Sequence, residues 1–322
     1  MIKTPKARIL NAVRVLALSF LGLICLAPFY VAVCYAFKSK VDLAQTKLAF
    51  PTHLYLGNFI DALNVRNFFD SVKNSAIVAV CMVVIIILFC SSGAYIIARK
   101  NNKFYNTVYY IFQLVILIPF QTVMFPLYKE LSAIGALNTL WGLCLAQAGV
   151  NVGYYVFLYT GFIKNVPISL EEAASIDGCN RYQTFFYVVF PLLKPITMTS
   201  IVLAFLASWN DFIISMIICQ KLDRRTLPLM QFYFFGEYSA NVNVAFAASL
   251  IAMLPAVIIY FCAQKSRKKS KCDLCCDYAA AKRCGPGENP GPFYISRLLY
   301  LHGTKNGSTF PGFLHMIQQR CR

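Results

Sequence analysis

Charged residues are scarce in this chain, and acidic residues are the scarcest of them. Only 13% of its 322 residues are charged, with 13 Asp and Glu against 30 Lys and Arg. Soluble domains carry charges on about a quarter of their residues. Because 58% of this sequence is hydrophobic, the composition excludes an ordinary soluble domain and predicts a polytopic membrane protein.

The sequence also lacks the groups that would let it act alone as an ATPase, an enzyme or a proton-driven carrier. No G-x-x-x-x-G-K-[ST] loop is present, so the chain does not bind ATP by that device. The apolar region pairs no nucleophile with a base and clusters no metal ligands, so we expect no catalytic residue, no metal site and no enzyme activity. Asp211 is the only carboxylate within the predicted spans, whereas a proton-driven carrier needs ionisable relays there.

Six apolar runs are long enough to cross about 30 Å of hydrocarbon. They comprise residues 15–37, 75–98, 104–128, 140–162, 195–220 and a run within 238–264. Pro119 and Pro126 predict a kink or break in the third run. Residues 38–74 and 220–241 are too polar to cross the membrane and are predicted to lie outside it.

The basic residues lie at the ends of these runs and in the tail, not in a patch with stacking aromatics. This distribution argues against nucleic acid as a partner. It fits the excess of Lys and Arg on the cytoplasmic side of membrane proteins, and it places both termini and residues 99–103 in the cytoplasm.

Residues 165–195 form the most informative segment. Ser169 with Glu172 is predicted to form a capping box that starts a short helix at Leu170. Gly178 is predicted to take the left-handed position that ends this helix. A second helix should follow.

The second helix of this segment also has its own start and stop signals. Asn180 with Gln183 three residues later repeats the cap pattern. The helix is predicted to stop before Pro191 and Pro195, because proline lacks the amide proton that a helix interior needs. The segment therefore predicts a helix, a glycine turn and a helix.

This segment resembles the EAA loop of the membrane permease subunits of binding-protein-dependent ABC importers. The flanking residues resemble the carbohydrate-uptake, maltose-transporter branch of that family, and the resemblance extends over about residues 15–264. The residues that carry it are Glu172-Ala173-Ala174, Asp177-Gly178, Phe190-Pro191 and Pro195 in the loop, and Gly161-Phe162, Val166-Pro167, Leu170 and Trp209-Asn210-Asp211 around it.

The resemblance implies an all-α type I ABC importer permease with six transmembrane helices and a cytoplasmic coupling helix, located in a bacterial inner membrane. It implies ATPase subunits that use ATP and Mg²⁺, a second permease that is a different chain, and an external solute-binding protein. This chain itself would bind no cofactor. The implied function is ATP-driven uptake of a sugar, oligosaccharide or related polyol.

The resemblance also implies which residues couple transport to the ATPase. Glu171 and Glu172 would set the helix start and its electrostatic contact, Ala173 and Ala174 would allow close approach, and Gly178 would make the turn. The coupling residues are therefore Glu171, Glu172, Ala173, Ala174, Asp177 and Gly178. A non-sugar solute, or an ATP-independent pore, remains an alternative function.

Polar residues within the fifth and fourth runs are candidates for the translocation path. In the fifth run, polar and small residues recur at steps of three and four, so they share one helix face. This face either lines the path or packs against another helix, as small residues in membranes often do. The candidates are Thr197, Ser200, Ser208, Asn210, Asp211, Gln147 and Asn151.

Asp211 and the two candidates of the fourth run, Gln147 and Asn151, each have a structural alternative. Asp211 lies about 24 Å along a helix from Pro195, near the outer interface, where it could simply be solvated beside Trp209. In the fourth run, Gly149-x-x-x-Gly153 is a small-x-x-x-small pattern that is typical of helix packing.

The predicted domains are a cytoplasmic N-terminus (residues 1–14), a permease domain (15–264) and a basic C-terminal tail (265–322). The tail carries Cys272, Cys275, Cys276 and Cys284, but their spacing matches no common zinc pattern. We therefore expect the tail to be disordered, or an out-of-frame ending of the gene, and attraction to anionic lipid accounts for its basic start.

Overall fold

The computed structural model describes residues 5–46, 49–51, 53–65, 67–100, 102–237 and 241–282. Within those ranges the regular elements are helices, and no residue lies in a strand. The prediction of an all-α protein is therefore confirmed.

Helices account for most of the described chain. In chain order they are α1 (Pro5–Phe37), α2 (Lys40–Gln45), α3 (Gly57–Asn64), α4 (Phe68–Arg99), α5 (Lys103–Leu117), α6 (Phe120–Ala133), α7 (Leu140–Ile163), α8 (Ser169–Ile176), α9 (Arg181–Leu192), α10 (Lys194–Trp209), α11 (Ile213–Ile218), α12 (Leu227–Glu237) and α13 (Val242–Lys282). A π-helical stretch interrupts α4 at Ile86–Cys90 and α9 at Thr184–Val189. A short 3-10 turn, Leu222–Arg224, precedes α12.

The chain divides into two compact units. Unit 1 comprises Met1–Ser75 and Gln220–Val257, and unit 2 comprises Ala76–Cys219 and Ile258–Arg322. Both candidate sites described below lie in unit 2.

Unit 1 is held together by buried asparagine side chains that bond to main-chain carbonyls. The amide of Asn58 donates to the carbonyl of Lys38 over 2.8 Å, and the amide of Asn243 donates to the same carbonyl over 2.6 Å. Both asparagines are buried. An unpaired buried carbonyl costs free energy. These bonds satisfy the carbonyl of Lys38, which directly follows the end of α1.

The start of α4 differs from the sequence prediction. Residues 38–74 were expected to form a loop, but they contain α2 and α3, and α4 begins at Phe68 rather than at residue 75. Of its first polar residues, Ser71, Asn74 and Ser75 are buried, whereas Asp70 and Lys73 are exposed. The Asn74 amide donates to the carbonyl of Arg225 over 3.1 Å, and the Ser75 hydroxyl accepts from the amide of Leu227 over 2.8 Å. The polarity of Asn74 and Ser75 therefore does not mark a loop.

Helix α7 is the centre of unit 2. Helices α4, α5, α10 and α11 all pack against it. Its buried side chains form one core with residues of α4 and α9, among them Met82, Ile86, Tyr155, Tyr159, Ile163, Phe185 and Val189. A second core lies around Leu143 and joins α6, α7 and α11.

Three described helices are long and apolar enough to cross a membrane by themselves: Val13–Phe37, Phe68–Arg99 and Val242–Cys262. Two bent pairs, α5 with α6 and α9 with α10, pass the same test when each pair is taken together. Helix α7 is 24 residues long but is not in this set; its glycines and amides lower its hydropathy. The chain thus has several apolar helices, and the count of six spans stays a prediction.

The prolines near the two bent pairs differ in whether they interrupt a helix. The bend of 107° between α5 and α6 lies at Pro119, which confirms the predicted break, while Pro126 is accommodated inside α6. The prediction that the second helix of segment 165–195 stops before Pro191 is wrong. Helix α9 continues to Leu192, because the π-helical stretch ahead of Pro191 already alters the hydrogen-bond register, and the bend of 77° follows it.

The ends of the last two predicted spans also shift. Helix α10 stops at Trp209, short of the predicted end at residue 220, and α11 begins after a break of three residues. Helix α13 continues past residue 264 to Lys282, so the predicted tail boundary falls within a helix. Residues 283–322 of the tail, with Cys284, lie outside the described residues.

Candidate functional site

The first candidate site is the segment that contains α8 and α9. Helix α8 starts one residue earlier than predicted, at Ser169, and Ile168 precedes it without a side-chain cap. The amides of Glu171 and Glu172 both donate to the carbonyl of Ile168. The predicted capping box is therefore wrong, because Ser169 already lies inside the helix and both glutamates point elsewhere.

The glycine turn between the two helices is confirmed. Gly178 has a φ of +90°, a conformation that favours glycine. The amide of Gly178 donates to the carbonyl of Ser175 over 3.1 Å, and the next amide, of Cys179, donates to that of Ala174 over 3.0 Å. These two bonds form a Schellman motif, which satisfies the last carbonyls of α8 and sets the direction in which the chain leaves it.

The cap of α9 is also confirmed. The side chain of Asn180 accepts from the amide of Gln183 over 2.9 Å, and the Gln183 side chain accepts from the amide of Asn180 over 2.7 Å. This reciprocal capping box satisfies two amides that the helix itself cannot pair. The start of α9 is thereby fixed close to the end of α8.

The inward face of α8 carries an ion pair to the last turns of α4. Nε of Arg99 donates to Oε1 of Glu171 over 2.6 Å, and the hydroxyl of Tyr95 donates to Oε2 over 2.8 Å. Nη2 of Arg99 also donates to the carbonyl of Val166 over 2.9 Å. The side chains of Arg99 and Glu171 are only 12% and 13% exposed, so the pair is largely shielded from solvent.

The outward face of α8 is exposed. Glu172 and Asp177 are exposed, and Ile176 is 86% exposed. Tyr182, at the start of α9, is close to them in sequence and is 79% exposed. We call Ile168, Glu172, Ile176 and Tyr182 the exposed coupling face.

The two alanines of the motif do not both lie on this face. Ala174 is buried and packs inward, and Ala173 is half-buried. This corrects the expected role of Ala174, which was close approach to a partner. Its small side chain instead lets α8 lie close to the π-helical stretch of α9, against which α8 packs.

The second candidate site lies where α10 meets α7. Thr197, Ser200 and Ser208 are buried, as is Ala204, so the polar and small face predicted along α10 is one face. This face is covered by protein in this conformation. The hydroxyls of Thr197 and Ser200, and that of Tyr159 on α7, are buried without a hydrogen-bond partner.

Gln147 on α7 links this face to the break after α10. Its Oε1 accepts from the Ser208 hydroxyl over 2.6 Å, and its Nε2 donates to Oδ2 of Asp211 over 3.0 Å. Gln147 is only 1% exposed. Both ends of one buried amide are thus paired, one N–H with Asp211 and the oxygen with Ser208.

Asp211 caps α11 as well as binding α7. Its carboxylate accepts from the amide of Ser215 over 3.0 Å, from the Ser215 hydroxyl over 2.8 Å and from the amide of Ile214 over 3.4 Å. A carboxylate at a helix start is favoured by the amides and by the helix dipole. Asp211 is therefore not simply solvated beside Trp209, which was the structural alternative.

The remaining candidates are less enclosed. Asn210 is exposed in the break between α10 and α11, and Asn151 is half-buried, with its amide bonded to the carbonyl of Gln147 over 2.8 Å. Of the two glycines on α7, Gly153 lies against α5: a Cβ there would meet the carbonyl oxygen of Phe112 at 2.6 Å, whereas one at Gly149 would meet nothing within 4 Å.

Sequence reasoning missed the partners of Glu171. Arg99 was read only as a basic residue at a span end, and Tyr95 was not considered. The available signal was that residues 99–103 and segment 165–195 were placed on the same side of the membrane. A basic residue at the end of a span, on the same side as an acidic loop, could have suggested an ion pair. Only the structure shows that the partner is Glu171 and not Glu172.

Apolar helices of spanning length, broken helix pairs and a capped helix-turn-helix define an α-helical membrane component. Residues 91–266 match the family described as binding-protein-dependent transport system inner membrane component. The chain belongs to this family of ABC importer permease subunits, which are not enzymes and which act with a solute-binding protein and an ATPase. The resemblance drawn from the EAA loop is confirmed.

Curated relatives cover most of the chain. It is 39% identical over 252 residues, 77% of this chain and 92% of the relative, to a probable starch degradation products transport system permease of Thermoanaerobacterium thermosulfurigenes. It is 34% identical to a multiple sugar-binding transport system permease of Streptococcus mutans, over 76% of this chain and 89% of that relative. A melibiose/raffinose/stachyose import permease of Bacillus subtilis is also 34% identical, over 74% of this chain and 86% of the relative.

Solved structures agree with the fold. A bacterial ABC transporter involved in the import of the acidic polysaccharide alginate matches with a TM-score of 0.72 at 21% identity, over 82% of this chain and 99% of that chain. The alginate transporter in complex with a pentasaccharide-bound periplasmic protein matches with a TM-score of 0.65 at 18% identity, over 83% of this chain and 96% of that chain. At these identities the likeness concerns the fold alone.

Proposed function

We propose that this chain is the permease subunit that forms part of the translocation path for a sugar, oligosaccharide or related polyol. In this proposal it is coupled to a separate ATPase through residues 165–195. The observation that carries the proposal is the exposed coupling face, which turns Glu172, Ile176 and Tyr182 outward. The first helix of the segment ends in a Schellman motif, and the second begins with a capping box. An exposed apolar and acidic surface of this kind suits docking to a partner protein.

The proposed mechanism follows from that surface. Closure of two ATPase subunits on ATP and Mg²⁺ moves α8, and the movement changes the access of the spans from one side of the membrane to the other. This chain binds no cofactor itself. A second permease, a different chain, completes the path, membrane lipid surrounds the spans, and both termini lie in the cytoplasm.

The solute class rests on the relatives, whose names refer to starch degradation products, to multiple sugars and to melibiose, raffinose and stachyose. Within this chain, the exposed amide of Asn210 and the half-buried amide of Asn151 are the proposed solute contacts. Gln147, Ser208 and Asp211 are proposed to hold the helices around that region. Amides donate and accept hydrogen bonds at once, which suits the hydroxyls of a sugar.

The docking claim can be tested by co-purification of the ATPase with the assembled permease pair. Ile176→Asp places a charge in the centre of the exposed coupling face. Ile134→Asp is the matched control, because Ile134 is also an exposed isoleucine at a helix end, 61% exposed, but lies after α6. We expect Ile176→Asp to weaken binding of the ATPase by about thirty-fold, which corresponds to the loss of one interface hot-spot contact of about 2 kcal/mol.

The control variant should retain the ATPase and transport at the level of the wild type. Equal retention by both variants would contradict docking at α8. Uptake of labelled oligosaccharides by proteoliposomes that contain the binding protein tests the solute class: accumulation that needs both ATP and the binding protein supports it, and uptake without ATP would favour a pore.

A further inference from the structure

We propose that the pair Arg99 and Glu171 is the rigid link through which movement of α8 reaches the spans. The inference rests on the proposed coupling function and assigns a positioning role to Glu171, Arg99 and Tyr95 that differs from docking. In this view the two adjacent glutamates of α8 have different roles. Glu172 meets the ATPase, and Glu171 holds the permease to its own coupling helix.

The first support is the opposite surroundings of the two glutamates. Glu172 is exposed, whereas the Glu171 side chain is 13% exposed and both its oxygens are bonded within unit 2. A carboxylate already bonded to a cation and a hydroxyl has little left to offer an outside partner. Docking by Glu171 would require breaking shielded, charge-assisted bonds.

The second support is where the bonds end on α4. Tyr95 and Arg99 are four residues apart, so both donors project from one face of the last two turns. Arg99 also binds the carbonyl of Val166, ahead of α8. The start of α8 and the chain before it are thus attached to a single helix end.

The third support is that Tyr95 also contacts the second helix of the segment. Its ring lies 5.0 Å from that of Phe185 in α9, and Tyr95 is buried. Both helices of the segment therefore meet α4 at one residue. If α8 moves, the end of α4 must move with it or these bonds must break.

The other contacts of α8 define the direction of its movement less well than the ion pair does. Ala174 and the partly buried Leu170 pack inward through apolar surfaces, and such contacts are non-directional. An ion pair with fixed hydrogen-bond geometry resists sliding along the interface. The pair is accordingly the part of the interface that specifies how far and in which direction α4 follows.

The test separates docking from transmission with two matched substitutions, Glu171→Gln and Glu172→Gln, in proteoliposomes holding the full transporter. Two quantities are measured: the ATPase concentration needed for half-maximal association, and the ratio of binding-protein-stimulated to basal ATP hydrolysis at saturating ATPase. For Glu171→Gln we expect unchanged association and a ratio lowered by about ten-fold, within the usual range of coupling between sites. For Glu172→Gln we expect weaker association and an unchanged ratio at saturation.

A charge exchange tests whether the two residues act as a pair. Arg99→Glu and Glu171→Arg should each lower the ratio, and the double variant should recover part of it, because attraction between the two positions is restored. Recovery also shows that the spans still fold. If a single reversal prevents assembly, Glu171→Gln and Tyr95→Phe test the proposal instead. Glu171→Gln removes the charge and Tyr95→Phe removes the hydroxyl, and neither introduces repulsion.

The proposal is overturned if Glu171→Gln keeps the wild-type ratio, or if it weakens association as Glu172→Gln does. Single reversals whose loss the exchange does not relieve also overturn it. A wild-type transporter that neither retains the ATPase nor shows stimulation would instead contradict the coupling function itself. The two failures are therefore distinguishable.

Discussion

Glu171 and Glu172 are neighbours with the same chemistry, yet a rotation of about 100° around the helix axis gives them different partners. One carboxylate is bonded to Arg99 and Tyr95, and the other is exposed. At the residue scale, the direction of each side chain thus decides which glutamate can meet an external protein. Sequence alone treated both as electrostatic contacts.

Gly178→Ala tests the glycine turn without creating a clash. A Cβ at Gly178 would meet nothing within 4 Å, so only the φ of +90° penalises it. We expect a loss of about 1–2 kcal/mol in the free energy of unfolding in detergent, the cost of the left-handed conformation for a residue with Cβ. The control is Gly161→Ala, inside α7 with equally open space, which should stabilise by about 0.5–1 kcal/mol. Equal effects of the two substitutions would contradict this account.

Gln147 and Asp211 should be energetically coupled. A double-mutant cycle of Gln147→Ala and Asp211→Ala is expected to give an interaction energy of about 0.5–2 kcal/mol, because the two side chains share a hydrogen bond of 3.0 Å. The matched cycle pairs Asp211→Ala with Asn151→Ala. The side chain of Asn151 bonds to the carbonyl of Gln147 and not to Asp211, so that interaction energy should be near zero. Unfolding in detergent measures both, and equal values would count against the described network.

At the scale of elements, the approach of α7 to α5 depends on one glycine of the small-x-x-x-small pattern. Gly153→Ala would force a Cβ to within 2.6 Å of the Phe112 carbonyl oxygen, and a backbone atom cannot move aside. The helices must separate, at a cost of about 1–3 kcal/mol. Thermal unfolding of the purified permease pair measures this loss.

The matched control for that prediction is Gly149→Ala on the same helix. Nothing lies within 4 Å of a Cβ there, so the substitution should leave stability unchanged or raise it by about 0.5–1 kcal/mol through helix propensity. Destabilisation of the same size at both positions would show that the close contact between α7 and α5 is not what matters.

The sequence predicted some elements well because their signals are local. The break at Pro119, the turn at Gly178 and the capping box of Asn180 each depend on a few consecutive residues. The start of α4 was misplaced because Asn74 is bonded to a carbonyl 151 residues away, a contact that hydropathy cannot detect. Likewise, Pro191 did not stop α9, since a preceding π-helical stretch changes the hydrogen-bond register.

At the scale of the whole molecule, the family was predictable from motif spacing, whereas the arrangement of residues 165–195 was not. Arg99 and Glu171 are 72 residues apart, and only the packing of α4 beside α8 brings them together. The candidate path residues show the same limit. Their shared face on α10 followed from periodicity, but whether α7 or a cavity covers that face depends on the fold.

The most direct test of the account is binding-protein-stimulated ATP hydrolysis in proteoliposomes that hold this chain, its companion permease and the ATPase. Wild type is compared with Gly178→Asp, which disrupts the turn, and with Glu172→Lys, which reverses the charge on the exposed coupling face. We predict strong stimulation for the wild type and loss of stimulation or of ATPase association for both variants, while the spans still insert. If association and stimulation are unchanged in both variants, residues 165–195 are only a connector, and coupling through this segment is contradicted.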